Sequence, residues 1–228
     1  MAFHDKVRIA PHYRTTGLLA MGVLFILGSC TIGQTTAQEP TSPSPSHMTE
    51  DVTVDEATLI TPTSIGEAKT CMSLEELQRD LSMMTATVVG QDDGLLADAS
   101  GVVVLNAAGE LAFYAPSYGD VQPDEKLLLF VTTNPDYQTA KGIGPGTLIE
   151  EAERAYGPAS LSYHHEAESR EFVTFENGPE NIGFRTGSGD EAGVYSPQEG
   201  PYFQTQSYRG GATIQSVWVT DRSCLDDF

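Results

Sequence analysis

Apolar positions fall along this 228-residue chain in three regimes. From Gly17 to Gly28 they are almost continuous. From Thr31 to about Glu56 large apolar side chains are scarce, while Thr, Ser, Pro and Gln dominate and Pro40, Pro43 and Pro45 lie close together. From about Ala57 to Phe228 they recur with the short periods of packed secondary structure. Ser73-Leu-Glu-Glu-Leu-Gln-Arg-Asp-Leu-Ser82 predicts a helix: Ser73 is a good N-cap, Glu76 completes a capping box, and Leu74, Leu77 and Leu81 share one face. Strand-like runs follow at Ala86–Val89, Gly101–Leu105, Leu111–Tyr114 and Lys126–Thr132, with Asn106-Ala-Ala-Gly109 as a hairpin turn. The class expected is α+β, with short helices packed on antiparallel sheet.

The pattern then restarts. Gly142-Ile-Gly-Pro-Gly146 predicts a tight loop, and Thr147 to Tyr156 a second short helix ended by Gly157-Pro158. Strand-like runs return at Leu161–His165, Glu171–Glu176, Asn181–Thr186 and Ile214–Val219, with Gly187–Pro201 read as a loop. Ile65-Gly66 precedes the first helix and Ile143-Gly144 the second, and the helical matches are offset by 75 residues. A helix followed by antiparallel strands, twice over, resembles the tandem repeats of the beta-lactamase-inhibitor-like and small outer-membrane-lipoprotein (SmpA/OmlA-like) folds. That resemblance implies two related units, about 63–136 and 137–224. In the second half, Thr132-Thr-Asn-Pro-Asp-Tyr137, Gly142-Ile-Gly-Pro-Gly-Thr147, Tyr156-Gly157, Leu161-Ser-Tyr163 and Glu168-Ser-Arg-Glu171 resemble a family of lipoproteins from photosynthetic bacteria. The family implies export and a shared fold, and carries no catalytic residue across.

The N-terminal regime has the order of an export signal: bases at Lys6, Arg8 and Arg14, then the apolar run, then small residues. Twelve apolar residues are too few for a spanning helix, which needs about 20. Leu27-Gly28-Ser29-Cys30 resembles the lipobox of bacterial lipoproteins, where the thiol is acylated and the peptide is cut before the cysteine. The resemblance implies a signal peptide over 1–29 and a membrane anchor through lipid on Cys30. Plain secretion and an uncleaved anchor from Gly17 to about Gly33 are the alternatives. Residues 30–56 read as a disordered tether, whose composition buries too little surface to offset chain entropy. Extended at about 3.1 Å per residue, it would reach roughly 80 Å.

Charge narrows the partners. The chain has 12 Lys+Arg against 32 Asp+Glu; without residues 1–29 nine bases and 31 acids remain, a net charge of −22. Such a domain repels nucleic acid and anionic headgroups. Three cysteines are present; if Cys30 takes lipid, Cys71 and Cys224 can form one disulfide in an oxidising compartment, buried free thiols being the alternative.

Candidate chemistry is sparse. His164-His165-Glu166-x-Glu168 is the densest group of potential metal ligands, but adjacent histidines on a strand point to opposite faces, so it reads as a polar hairpin tip. The glycines of 142–146 lack the Lys-Ser/Thr of a P-loop, and Pro145 removes a backbone donor. Asp92-Asp93-Gly94 and Gly187–Glu191 offer oxygen ligands without the spacing of a calcium loop. No Gly-x-Ser-x-Gly elbow occurs. No catalytic residue, metal ligand or cofactor is assigned. Tyr114, Tyr118, Tyr202, Phe203 and Tyr208 are the binding candidates, because aromatic rings give large contact area and tyrosine keeps a polar end. The expected function is a lipid-anchored envelope module that docks a protein or ligand. An envelope hydrolase working through acidic residues and a purely structural lipoprotein are the alternatives.

Overall fold

The structure, a computed structural model, describes residues 55–90, 100–117, 119–166, 169–188, 191–197, 199–221 and 223, all within the second of the two units into which the chain divides, Glu50–Phe228. The expected signal segment, Cys30, nearly all of the tether, Asp92-Asp93-Gly94, Tyr118, Glu168 and Cys224 lie outside the described residues. No helix among the described residues is long and apolar enough to cross a membrane.

The described chain is α+β, dominated by antiparallel strands. A 3₁₀ turn (Glu56–Thr58), capped by the Asp55 side chain, leads into β1 (Leu59–Thr61), β2 (Ser64–Ile65) and β3 (Ala68–Lys69). These join β8 (Gln138–Thr139) in a small sheet of order β3-β2-β1-β8, in which β1 and β8 run parallel. That parallel pair departs from the antiparallel expectation. It joins segments nearly eighty residues apart, which local patterning does not reveal.

A nine-stranded antiparallel sheet forms the body. Its strands are β4 (Thr85–Val89), β5 (Ser100–Leu105), β6 (Leu111–Ser117), β7 (Leu129–Thr132), β9 (Ala159–His164), β10 (Arg170–Phe175), β11 (Ile182–Ser188), β12 (Tyr202–Thr205) and β13 (Ser216–Thr220). The order is β12-β9-β10-β11-β13-β7-β6-β5-β4. One meander, β4 to β7, thus meets a second, β9-β10-β11-β13, across the β7–β13 pair. The Gly187–Pro201 loop expectation is trimmed at its start by β11, which runs through Ser188. The edge strand β12 just beyond it has no apolar alternation to announce it.

Two helices cover one face. In α1 (Leu74–Asp80) both halves of the capping box are made: Ser73 Oγ accepts from Glu76 N–H at 3.2 Å, and Glu76 Oε2 accepts from Ser73 N–H at 2.7 Å. The first helical turn therefore satisfies its own exposed donors. By contrast, α2 (Ile149–Tyr156) starts at Leu148 without a side-chain cap and ends at Gly157, whose φ of 84° suits a residue without Cβ. So short a helix depends on packing. Ile149, Ala152 and Tyr156 are buried on the β10 side of the sheet, as Leu74 and Leu77 are near β4. Phe113, Phe130, Val173, Phe184, Val217 and Val219 supply the sheet's half of this core.

The approaches to the two helices match in detail. Cys71 N–H donates to Leu127 O and Leu127 N–H to Met72 O; Gly146 N–H donates to Ile214 O and Ile214 N–H to Thr147 O. Isolated bridges then join Ser73 to Lys126 and Leu148 to Thr213. Cys71 and Gly146 both hold a left-handed φ, 67° and 88°.

Candidate functional site

Strand side chains alternate between faces, so each residue buried under the helices leaves its neighbours on the other side. On that second face the register lines up Gly183 (β11), Trp218 (β13), Val131 (β7), Tyr114 (β6), Val103 (β5) and Thr87 (β4) as successive cross-strand partners. Phe172 stands beside this row in β10, opposite Ser162 on one side and Arg185 on the other. Among the described residues no helix lies on this face. A second, smaller apolar cluster forms there, with Val89 and Val103 buried against Leu111 and Tyr114.

Gly183 organises the middle of the face. A Cβ built on it would fall inside the Trp218 indole, so only glycine leaves space for that ring. Phe172 and Trp218 belong to strands separated by β11, roughly 10 Å apart at about 4.8 Å per strand. Across the bare Gly183 their rings close to 5.2 Å, edge to face. The two rings, with Pro179, Ile182 and Gly183, line a cleft of about 400 Å³. Such a recess accepts an apolar side chain and holds no assembled nucleophile or ligand set.

The charges are distributed unevenly. Glu171 is the only acidic residue in any described strand, and it points to the helix side. The second face carries Arg170 and Arg185 instead. Arg185 Nε–H donates to Gly187 O at 3.0 Å, which orients the guanidinium. Burial pushes the Tyr114 phenol above its ordinary pKa, while the positive charges of Arg185 and Arg170 pull the other way. Both guanidinium groups therefore lie within electrostatic reach of the aromatic row.

Behind the face, Glu171 is fully buried and holds a loop. Its Oε2 accepts from Thr186 Oγ1–H at 2.9 Å and from Ala192 N–H at 2.8 Å; its Oε1 accepts from Gly193 N–H and the Tyr195 hydroxyl, each at 2.8 Å. A register shift between Glu171 and Phe172 turns Thr186 into this arrangement. Four donors stabilise the carboxylate and commit it to structure rather than to proton transfer.

The aromatic residues expected to bind do not form one patch. Tyr114 lies in the row just described. Tyr202, 52% exposed, stands on the same face at the β12 edge, opposite His164. Phe203 points the other way, stacked on Tyr163 with ring centroids 4.7 Å apart, and Tyr195 meets both rings edge-on. Tyr208 belongs to the helix layer, where its hydroxyl donates to Glu153 Oε2 at 2.6 Å; burial, then this bond, push its pKa up to about 12. The grouping of these five residues is thus corrected: alternation within β12 separates Tyr202 from Phe203, and Tyr208 serves α2. Phe172, Gly183, Arg185 and Trp218 were missed. Their sequence signal is weak but present, since Trp218 sits between two inward valines.

The other candidates are placed as follows. His164 ends β9 on the second face, its Nδ1 buried without a partner, and His165 starts the turn. No group of three His, Cys, Asp or Glu suited to a metal occurs among the described residues. In the glycine loop, Gly142 and Gly146 adopt left-handed φ and Gly144 abuts the Tyr137 carbonyl, so the glycines serve the turn. Cys71 Sγ lies 3.9 Å from the Asp221 carbonyl oxygen, three residues before Cys224 in sequence.

Comparison with family models, curated proteins and solved structures finds no match to this chain.

Proposed function

We propose that this chain is an exported, lipid-anchored protein of the cell envelope whose α+β domain is a docking module, binding a partner on the face of the nine-stranded sheet turned away from its helices. One observation carries the reading: a partly exposed row from Gly183 through Trp218 and Val131 to Tyr114, with a cleft beside Trp218, on a face that no described helix covers. Contiguous apolar surface of this kind marks interaction sites. Tryptophan and tyrosine are the residues that most often dominate binding energy. A lipidated Cys30 and a tether of about 80 Å would present this face to neighbours at the membrane. Photo-crosslinking from Val131 and Thr174 in intact envelopes tests the docking. Discrete adducts at these positions and none from helix-side positions such as Glu150 are expected, and no adducts from the sheet face would overturn it. Intact-mass analysis should show loss of residues 1–29 and added acyl mass on Cys30.

The two halves are also proposed to be related units. The paired hydrogen bonds at Cys71 and Gly146, the matching bridges at Ser73 and Leu148, and meanders meeting at β7–β13 support this reading. An experimental structure in which 63–136 superposes on 137–224 with α1 on α2 is the expected outcome. Helices at unrelated positions would overturn it.

A further inference from the structure

Strand β4 is an edge of the nine-stranded sheet, and it lacks the features that ordinarily stop an edge from pairing. Thr85-Ala-Thr-Val-Val89 has no charge and no proline, and its register with β5 runs through five pairs without a shift. Native edges are usually blunted by lysine, proline, bulges or shortness. The other edges follow that rule: β3 ends in exposed Lys69, β8 has two residues, and β12 has four and directly follows Pro201. We infer that β4 is a second docking site, where an extended, basic protein segment adds as a further strand. This goes beyond the sheet-face reading and does not depend on it.

Alternate residues of an edge strand point their N–H and C=O groups away from the sheet, where an added strand can pair with them. Gln78 Nε2–H donates to Ala86 O at 3.2 Å, so α1 meets one of the strand's acceptors near its start. Beyond that contact the strand opens to solvent. Ala86 is 8% exposed, whereas Val88, on the same side, is 44% exposed and Met83, just before the strand, 75%. Apolar side chains of an added strand would cover them. Charge then selects the occupant. Glu67 accepts from Ser82 N–H at 3.1 Å and from Ser82 Oγ–H at 2.6 Å, which fixes a carboxylate at the approach to β4. Among the described residues no ion pair neutralises it. The base nearest to β4 in sequence, Arg79, is held by Asp80 at 2.7 Å. A second copy would bring together two such edges, each on a chain of net charge −20. A cationic segment meets opposite charge both at range and at the strand.

The experiment titrates the full-length protein with dye-labelled peptides, read by fluorescence anisotropy. One alternates Val and Thr between flanking lysines, and a second carries glutamates in place of the lysines. A third is the first with N-methyl groups on alternate residues, which remove its donors along one edge. The lysine peptide is expected to bind saturably, to bind more weakly as salt rises, and to slow amide hydrogen exchange across Thr85–Val89. Methylation should weaken it at least about tenfold, the net worth of a few main-chain hydrogen bonds. Val88→Lys, at an exposed position, should weaken it by a similar factor, because it returns to the edge the guard it lacks. Circular dichroism confirms the fold of this variant, and the methylated peptide tests the pairing without altering the protein. Four results overturn the proposal: no saturable binding, equal or tighter binding of the glutamate peptide, equal binding of the methylated peptide, or exchange at Thr85–Val89 unchanged by saturating lysine peptide. An affinity unchanged in Val88→Lys also overturns it. Slowed exchange there that depends on protein concentration, without peptide, overturns it as well and assigns the edge to a second copy.

Discussion

Glu171 shows how one side chain can hold a region of the molecule. Its carboxylate is fully buried and is stabilised by two backbone N–H groups and two hydroxyls. Glu171→Gln keeps the shape but turns one acceptor oxygen into a donor facing other donors. Unfolding by denaturant should show a loss on the order of 3 kcal/mol, the scale for disrupting a buried charged acceptor. A loss below about 0.5 kcal/mol, the range of ordinary surface substitutions, would refute the role given to this carboxylate. Glu76 behaves differently because it is on the surface. The Ser73 N–H first, then Lys126, lower its pKa from 4.5 to about 2. The folded state therefore prefers the ionised form, and the associated stability is present above pH 4.5 and fades as pH falls toward 2. The stability difference between the wild type and Glu76→Gln, followed by acid titration, should shrink across that window; a difference unchanged through it would contradict the capping assignment.

At the scale of elements, α1 and α2 reach the same end by different means. The first is capped by its own side chains, the second relies on the Leu148–Thr213 bridge and on burial of Ile149, Ala152 and Tyr156. Ser73→Ala should therefore cost about 1 kcal/mol, the usual penalty for losing an N-cap, measurable as a shift in denaturation midpoint. No shift would mean that packing alone holds α1. In the sheet, Gly183 is the critical position. Gly183→Val fits a strand by propensity but intrudes on the Trp218 ring. It should lower stability by about 1–3 kcal/mol, the cost of overpacking, and expose Trp218 with a red shift of its emission. Unchanged emission would show that the ring does not rest there.

At the scale of the whole molecule, Asp221 closes the folded unit against the approach to α1. Asp221 N–H donates to Leu128 O, and Cys71 Sγ lies near Asp221 O. Both contacts bring Asp221, three residues before Cys224 in sequence, to the approach to α1, which is the basis for proposing that Cys71 pairs with Cys224. Non-reducing peptide mapping should recover that pair. Reduction should lower the melting temperature, by a stability loss of at most about 5 kcal/mol in the chain-entropy account of long loops. Recovery of Cys71 joined to Cys30 would refute the pairing, and with it the lipidation of Cys30.

Much of the local architecture was legible beforehand because its causes are local. Ser73 and Glu76 cap within one turn, Asn106–Gly109 turns within one hairpin, and strand-like runs marked eight of the nine strands of the large sheet near their observed positions. The short pairings of β1, β2, β3 and β8, and the edge strand β12, were not legible, since two to four residues carry no usable period. Nor was the candidate site. Alternation says that Phe172 and Trp218 face away from their buried neighbours, but not that one strand separates them or that Gly183 lets their rings meet. Likewise Glu171 read as an ordinary charged strand position until the register shift brought Thr186 and the loop at Ala192 around it. Sequence periodicity determined which residues face together within each element. Strand order and register, which depend on contacts among residues far apart in the chain, decided which of those faces became a surface able to bind.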